Sequence, residues 1–158
     1  MTSDLRHDLR QQKPFTSLVQ EAQLNLARTE SILLAGFEQL LKPFGIGATQ
    51  YNVLRILRGA GAPGLCRNEI RDRLLTRMPD VTRLLDRMEE AGLVIRVRST
   101  EDRRLVATRL TQRGRDLVDR LDEPVAAEHQ RQLGHLTPAE LRSLIKLLTL
   151  ARQPPHAP

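Results

Sequence analysis

Apolar residues recur along residues 14–42 at Leu18, Ala22, Leu26, Leu33, Phe37 and Leu40, one stripe of an amphipathic helix. Pro43, Gly45 and Gly47 end that helix. Thr49 reads as the N-cap of a second helix, which carries Tyr51, Val53, Leu54 and Leu57 inward and stops near Gly59. Residues 59–64 alternate glycine with alanine and proline, a loop composition. Two short helices follow. The first, about 66–75, turns Ile70 and Leu74 inward; the second opens at Pro79 and is closed by Gly92. Val81, Leu84, Leu85 and Met88 fall at i, i+3, i+4 and i+7, leaving Asp80, Thr82, Arg83, Asp86, Arg87 and Glu90 on the opposite face. The tight connection at 76–78 makes this pair a helix-turn-helix, whose second helix is the one that enters a DNA major groove.

The period then changes. Residues 93–98 and 104–110 are β-prone and of strand length, joined by a polar connection at 99–103, so they predict a hairpin. A lone hairpin is marginal in water and must lean on the helices before it. Thr111 caps a further long helix with Leu117, Val118, Leu121, Val125 and Leu133 on one side, kinked at Pro124. Thr137, Pro138 and Glu140 form a capping box that starts the last helix, which runs to about Arg152. The reading is mainly α with a small β-hairpin wing. The polar segments 1–13 and 153–158 are expected to be flexible.

Charge placement changes this picture more than total charge does. The chain of 158 residues is net +6, and only Lys13, Lys42 and Lys146 among its 25 cations are lysine. Arginine presents a planar fork suited to phosphate and guanine, although a GC-rich genome also raises its frequency. Between Val94 and Arg115 seven arginines face two acids, Glu101 and Asp102, so this stretch is net +5. A basic hairpin beside a helix-turn-helix points to duplex DNA.

Enzyme chemistry finds little support. There is no glycine-rich phosphate loop, and Glu89 and Glu90 point in different directions on their helix. His7, His129, His135 and His156 lack metal-ligand spacing, and no cofactor is expected. The one cysteine, Cys66, excludes an intramolecular disulfide and suits a reducing compartment. The first dozen residues lack the apolar core of a signal peptide, and no apolar run approaches the ~20 residues of a membrane span. A cytoplasmic protein is expected.

The succession of helices and basic hairpin resembles the MarR (multiple-antibiotic-resistance regulator) family over about residues 15–152. Three pieces carry the likeness: residues 81–94 (VTRLLDRMEEAGLV), Asp102-Arg103-Arg104 in the wing, and residues 110–114 (LTQRG) after it. The resemblance implies a winged helix-turn-helix lobe at 48–110, with the recognition helix at 79–91 and the wing at 93–110. It also implies dimerisation helices at 14–47 and 111–152, and a homodimer acting on a pseudo-palindromic operator, as a repressor. A twofold dimer spaces its recognition helices by about one DNA turn, ~34 Å.

By the same resemblance Asp102 orients Arg104, which enters the minor groove, where a narrow groove concentrates negative potential. Arg103 is an adjacent phosphate candidate. Arg77, Asp80, Thr82 and Arg83 are candidates for base or phosphate contact; Arg87 divides between DNA and an ion pair with Asp86, and Arg83 is the alternative partner of that acid. Arg67 and Asn68 lie at a helix N-terminus that attracts phosphate. Arg96 and Arg98 share one strand face, with phosphate contact and plain solvation both open. A small organic effector would sit between the lobes, near Tyr51 and Arg28, where Tyr51 reads equally as core. Cys66 does not match the position of the family's thiol sensors and reads as a half-buried small residue. Two other functions compete: a winged helix used for protein interaction, and a nonspecific architectural DNA binder.

Overall fold

A computed structural model describes residues 5–98 and 106–153. In chain order the elements are α1 (Leu5–Asp8), α2 (Leu18–Leu41), a 3-10 turn (Lys42–Phe44), α3 (Ala48–Ala60), β1 (Leu65–Cys66), α4 (Arg67–Arg73) and α5 (Val81–Glu90). Strands β2 (Val94–Arg98) and β3 (Val106–Leu110) follow, then α6 (Gln112–Arg120), α7 (Asp122–Leu133) and α8 (Pro138–Ala151). The fold is mainly helical with one small antiparallel sheet, ordered β1-β3-β2. Val94 pairs with Leu110 and Arg98 with Val106, the hairpin that the alternation predicts.

The third strand is not visible in the pattern. Leu65 and Cys66 read as the approach to a helix, yet they pair with Thr108 and Ala107 of β3. Two residues are too few to display a period of two. Gly64, at φ +73°, admits this pairing, because a Cβ there would collide with the Thr108 carbonyl.

One core unites the central helices. Val53, Leu54 and Leu57 of α3, Ile70 of α4, and Val81, Leu84, Leu85 and Met88 of α5 meet Leu93, Val94, Val118 and Leu121 in a single buried cluster. Each such side chain contributes about 1.5–3 kcal/mol when removed from water.

A short motif locks α6 to the end of α5. The Thr111 hydroxyl donates to the Gly92 carbonyl at 2.6 Å and accepts from the Gly114 N–H at 3.0 Å. The Thr111 N–H donates to the Leu93 carbonyl at 3.1 Å. Gly114 is buried so closely that a Cβ would collide with that same carbonyl. Gly92 closes α5 at φ +68°, where L-residues are strained.

Several boundaries differ from the pattern. α3 begins at Ala48, with Gly47 rather than Thr49 at the N-cap. Its first N–H groups are satisfied by side chains: Glu38 of α2 accepts from Ala48, and Gln50 within α3 reaches back to accept from Gly47, both at 2.9 Å. Pro79 precedes the α5 N-cap, Asp80, instead of occupying the first turn. The helix expected after Thr111 is two helices meeting at Leu121, three residues before Pro124, which lies in the first turn of α7; the kink expected at the proline is a break just ahead of it. A helical turn at Leu5–Asp8, with Leu5 buried, stands inside the segment expected to be flexible.

Arg58 of α3 bridges the α6–α7 junction, donating from Nη1 to Asp119 and from Nη2 to Asp122, each at 2.8 Å. Further along, the Gln132 amide of α7 donates to the Leu33 carbonyl of α2 at 2.8 Å and to Glu128 at 2.7 Å. Only a small residue fits opposite, and α2 supplies Gly36. In contrast, α8 has no buried residue in the monomer. Ile145, Leu147 and Leu150 are 63%, 64% and 51% exposed, and Leu18 and Val19 at the start of α2 are 84% and 79% exposed.

Two outcomes follow from these contacts. Gly114→Ala should destabilise the protein by about 1–3 kcal/mol in thermal or urea denaturation, the usual cost of forcing an extra methyl into a packed site. Hydrogen bonding to Arg58 holds the Asp122 carboxyl below its ordinary value of 3.8, so its contribution is present above that pH and is lost as pH falls through the depressed value. The stability advantage of wild type over Asp122→Asn should therefore shrink on acidification below about pH 3.8, as read by denaturation across pH.

Candidate nucleic-acid interface

The recognition helix is assembled from its cap outward. The Asp80 carboxylate accepts from the Arg83 N–H at 2.9 Å and starts α5. Asp80 was a candidate for DNA contact; in the structure its side chain is the helix cap, a role that its negative charge suits at an N-terminus. The turn before it is held from α3, where the Asn52 side-chain carbonyl accepts from the Leu75 N–H at 2.9 Å. From α4, Arg67 Nη1 donates to the Thr82 hydroxyl at 3.2 Å. Two DNA candidates are thus tied to each other.

With Val81, Leu84, Leu85 and Met88 buried, Thr82, Arg83 and Arg87 are exposed on the outer face of α5. Arg77 is exposed in the turn and Asn68 on α4, and Arg98 is exposed at the end of β2. No side-chain hydrogen bond or ion pair engages Arg77, Arg83, Arg87 or Arg98 among the described residues. The alternative of an Arg87–Asp86 pair is not realised, because Asp86 pairs with Arg96 instead. Arg109, in the same wing, donates from Nε to the Pro63 carbonyl at 3.2 Å. Asp102, Arg103 and Arg104 lie outside the described residues.

Arg96 departs from both alternatives left open for it. Its Nε donates to Glu89 at 2.8 Å, its own backbone N–H donates to the same carboxylate at 2.8 Å, and Nη2 reaches Asp86. These bonds hold the Glu89 carboxyl below the ordinary carboxylate range and raise the Arg96 guanidinium. Neither Arg96 as a brace nor Asn52 as a clamp is legible from composition. The available signal was the i, i+3 spacing of Asp86 and Glu89, which places two acids on one helix face.

Tyr51 and Arg28 are not brought together. Tyr51 is 5% exposed, its ring set edge-on to Phe37 at 5.4 Å, and burial pushes its hydroxyl pKa up. Arg28 is exposed on α2, nine residues before Phe37 and so about 14 Å along the helix axis. Cys66 is half-buried at the start of α4, where its N–H donates to Glu69 at 2.8 Å. Among the described residues no cluster of three or more His, Cys, Asp or Glu could hold a metal ion, and no helix is long and apolar enough to cross a membrane.

The MarR family model matches residues 44–105, the helix-turn-helix and the start of the wing. The HTH-type transcriptional repressor IacR of Pseudomonas putida is 30% identical over 123 residues, 78% of this chain and 72% of that protein. The chain belongs to the MarR family. A MarR transcription factor from Planctomyces limnophilus has the same fold at 46% identity and a TM-score of 0.65, over 87% of this chain and 99% of that one. A mutant MarR from E. coli, complexed with operator DNA, aligns at 25% identity and a TM-score of 0.77, over 87% and 100%. This MarR protein is accordingly a winged-helix DNA-binding transcriptional regulator, not an enzyme.

The capping role of Asp80 has a measurable consequence. Asp80→Ala should cost about 1 kcal/mol of stability in urea denaturation, through the lost bond to the Arg83 amide. Asp80→Asn, which keeps a capping oxygen, should cost much less.

Proposed function

We propose that this MarR protein is a homodimeric repressor that binds a pseudo-palindromic operator through α5 and the wing. The observation that carries the reading is the outer face of α5, where Arg83 and Arg87 stand exposed and without protein partners among the described residues. A surface that binds nothing has no need of a capped, braced helix carrying two free guanidinium groups. Arg83 sits in the first turn, where side chains reach base edges, and Arg87 one turn on suits a flanking phosphate. Arg77, Asn68 and Arg98 extend the phosphate-binding surface. By family resemblance Arg104, oriented by Asp102, reads the minor groove, with Arg103 beside it.

The dimer reading rests on α8. A helix with leucine and isoleucine exposed along it, and an equally uncovered N-terminal half of α2, matches a surface that a second copy covers. The lobes at 14–47 and 111–152 then join two copies, and the lobe at 48–110 carries the DNA contacts. A repressor acts here by occupying promoter DNA that polymerase needs.

The test is fluorescence anisotropy with a duplex from upstream of the protein's own gene and a scrambled duplex, across salt concentrations. The native duplex should bind far more tightly, with affinity falling steeply as salt rises. Arg83→Ala should cost about 1–3 kcal/mol and relax discrimination at one base position, and Arg104→Ala should cost a similar amount. Equal binding of both duplexes would replace the operator reading with an architectural one. No binding at low salt would leave a protein-interaction module.

A further inference from the structure

We propose that Arg96 is a positioning residue for DNA discrimination: by clamping Asp86 and Glu89 it fixes the recognition helix against the wing strand β2. The inference rests on the operator reading above and adds a determinant that makes no contact with a base. Asp86 and Glu89 are three residues apart on α5 and face β2, while Arg83 and Arg87 lie on the neighbouring exposed face. Arg96 sits at the middle of β2, opposite Thr108 of β3, which is 1% exposed. Its backbone is therefore fixed by the sheet, and its side chain transmits that position to α5.

The geometry is that of a fork. Nε and Nη2 lie on one edge of the guanidinium, and both reach Glu89 Oε2, at 2.8 and 2.7 Å. Nη2 also meets Asp86, and the Arg96 N–H completes the grip on Glu89 at 2.8 Å. Several bonds between two rigid elements resist rotation of α5 about its axis, which a single contact does not. The side chains of Arg96, Asp86 and Glu89 are only 30%, 45% and 35% exposed, so solvent competes with the clamp only in part.

The clamp also masks charge. Asp86 and Glu89 place two negative charges on the helix that approaches phosphates, and Arg96 lies directly on both. Most of its donors are spent within the protein, which sets it apart from Arg83 and Arg87. A lysine at 96 would keep the charge and lose the fork, because an ammonium is a point donor on a flexible stem.

The experiment compares native and scrambled duplexes, as above, for wild type, Arg96→Lys, and the double variant Asp86→Asn with Glu89→Gln. Circular dichroism and thermal melting confirm that each variant is folded. Arg96→Lys should lower the ratio of native to scrambled affinity about tenfold, with scrambled-duplex affinity and its salt slope unchanged, since no base-reading arginine is aligned and no phosphate contact is lost. The double variant should bind scrambled DNA more tightly, having shed two negative charges, and still discriminate less. It carries the test by itself if Arg96→Lys does not fold.

A uniform loss on both duplexes with a salt slope lower by about 1 would make Arg96 a direct phosphate contact and overturn the proposal. An unchanged ratio in a folded variant would overturn it as well, while a discriminating wild type left the operator reading intact. A wild type that does not discriminate would overturn both.

Discussion

Burial of the inner face of α5 is the constraint from which the other features follow. Val81, Leu84, Leu85 and Met88 are at most 4% exposed, yet the opposite face of the same ten-residue helix is held open. A helix this short is marginal by itself, so its order comes from packing and from its ends. Asp80 caps the start; Gly92 and Thr111 close the end and pass the chain into α6. Arg96 fixes the rotation of the helix about its axis. Each contact leaves the outward face untouched, and Arg83 and Arg87 inherit their positions from bonds made elsewhere.

The same economy explains the central lobe and its attachment. α3 lies behind the helix-turn-helix, contributes Val53, Leu54 and Leu57 to the shared core, and sends Asn52 to the turn. On its exposed side Arg58 spans the break between α6 and α7. Both carboxylates that it holds flank Leu121, which is fully buried. One helix thereby supports the DNA-binding elements and ties them to the segment leading to α8. α2 and α7 are joined by the Gln132 bond to the Leu33 carbonyl and by the Phe37–His129 ring stack, while Leu18 and Val19 at the start of α2 and Ile145, Leu147 and Leu150 of α8 stay in water.

α2 to α5, α8 and the hairpin were legible because each carries enough turns or alternations to show a period, whereas α1 and the break between α6 and α7 were not. The stripe at Val81, Leu84, Leu85 and Met88 identified the recognition helix, and Thr137 with Glu140 marked the start of α8. What escaped had no period to show. β1 is two residues long; the start of α3 is satisfied by Glu38, ten residues away, so Thr49 was a reasonable but incorrect cap. Candidate site residues divided along the same line. That Arg83 and Arg87 would be exposed follows from the stripe opposite. That Arg96 would be engaged, and Arg87 without a side-chain partner among the described residues, depends on where β2 lies against α5, which no local pattern encodes.

Composition could not assign roles among 22 arginines, because one residue type serves both as structural brace and as ligand for an anion. The separation is made by acid placement. Asp86 and Glu89 face the sheet and capture Arg96; Asp119 and Asp122 flank a helix junction and capture Arg58; Glu128 captures Arg131. At the start of the helix that carries Arg83 and Arg87, the acid among the described residues is Asp80, and its Oδ1 is engaged by a backbone amide. At the start of α5 the one acid is thus already committed, and Glu90 stands exposed at the other end of the helix. A guanidinium left in water by that arrangement retains its full capacity for phosphate, and on the proposal above its alignment depends on Arg96, whose Nε and Nη2 are spent on Glu89 and Asp86.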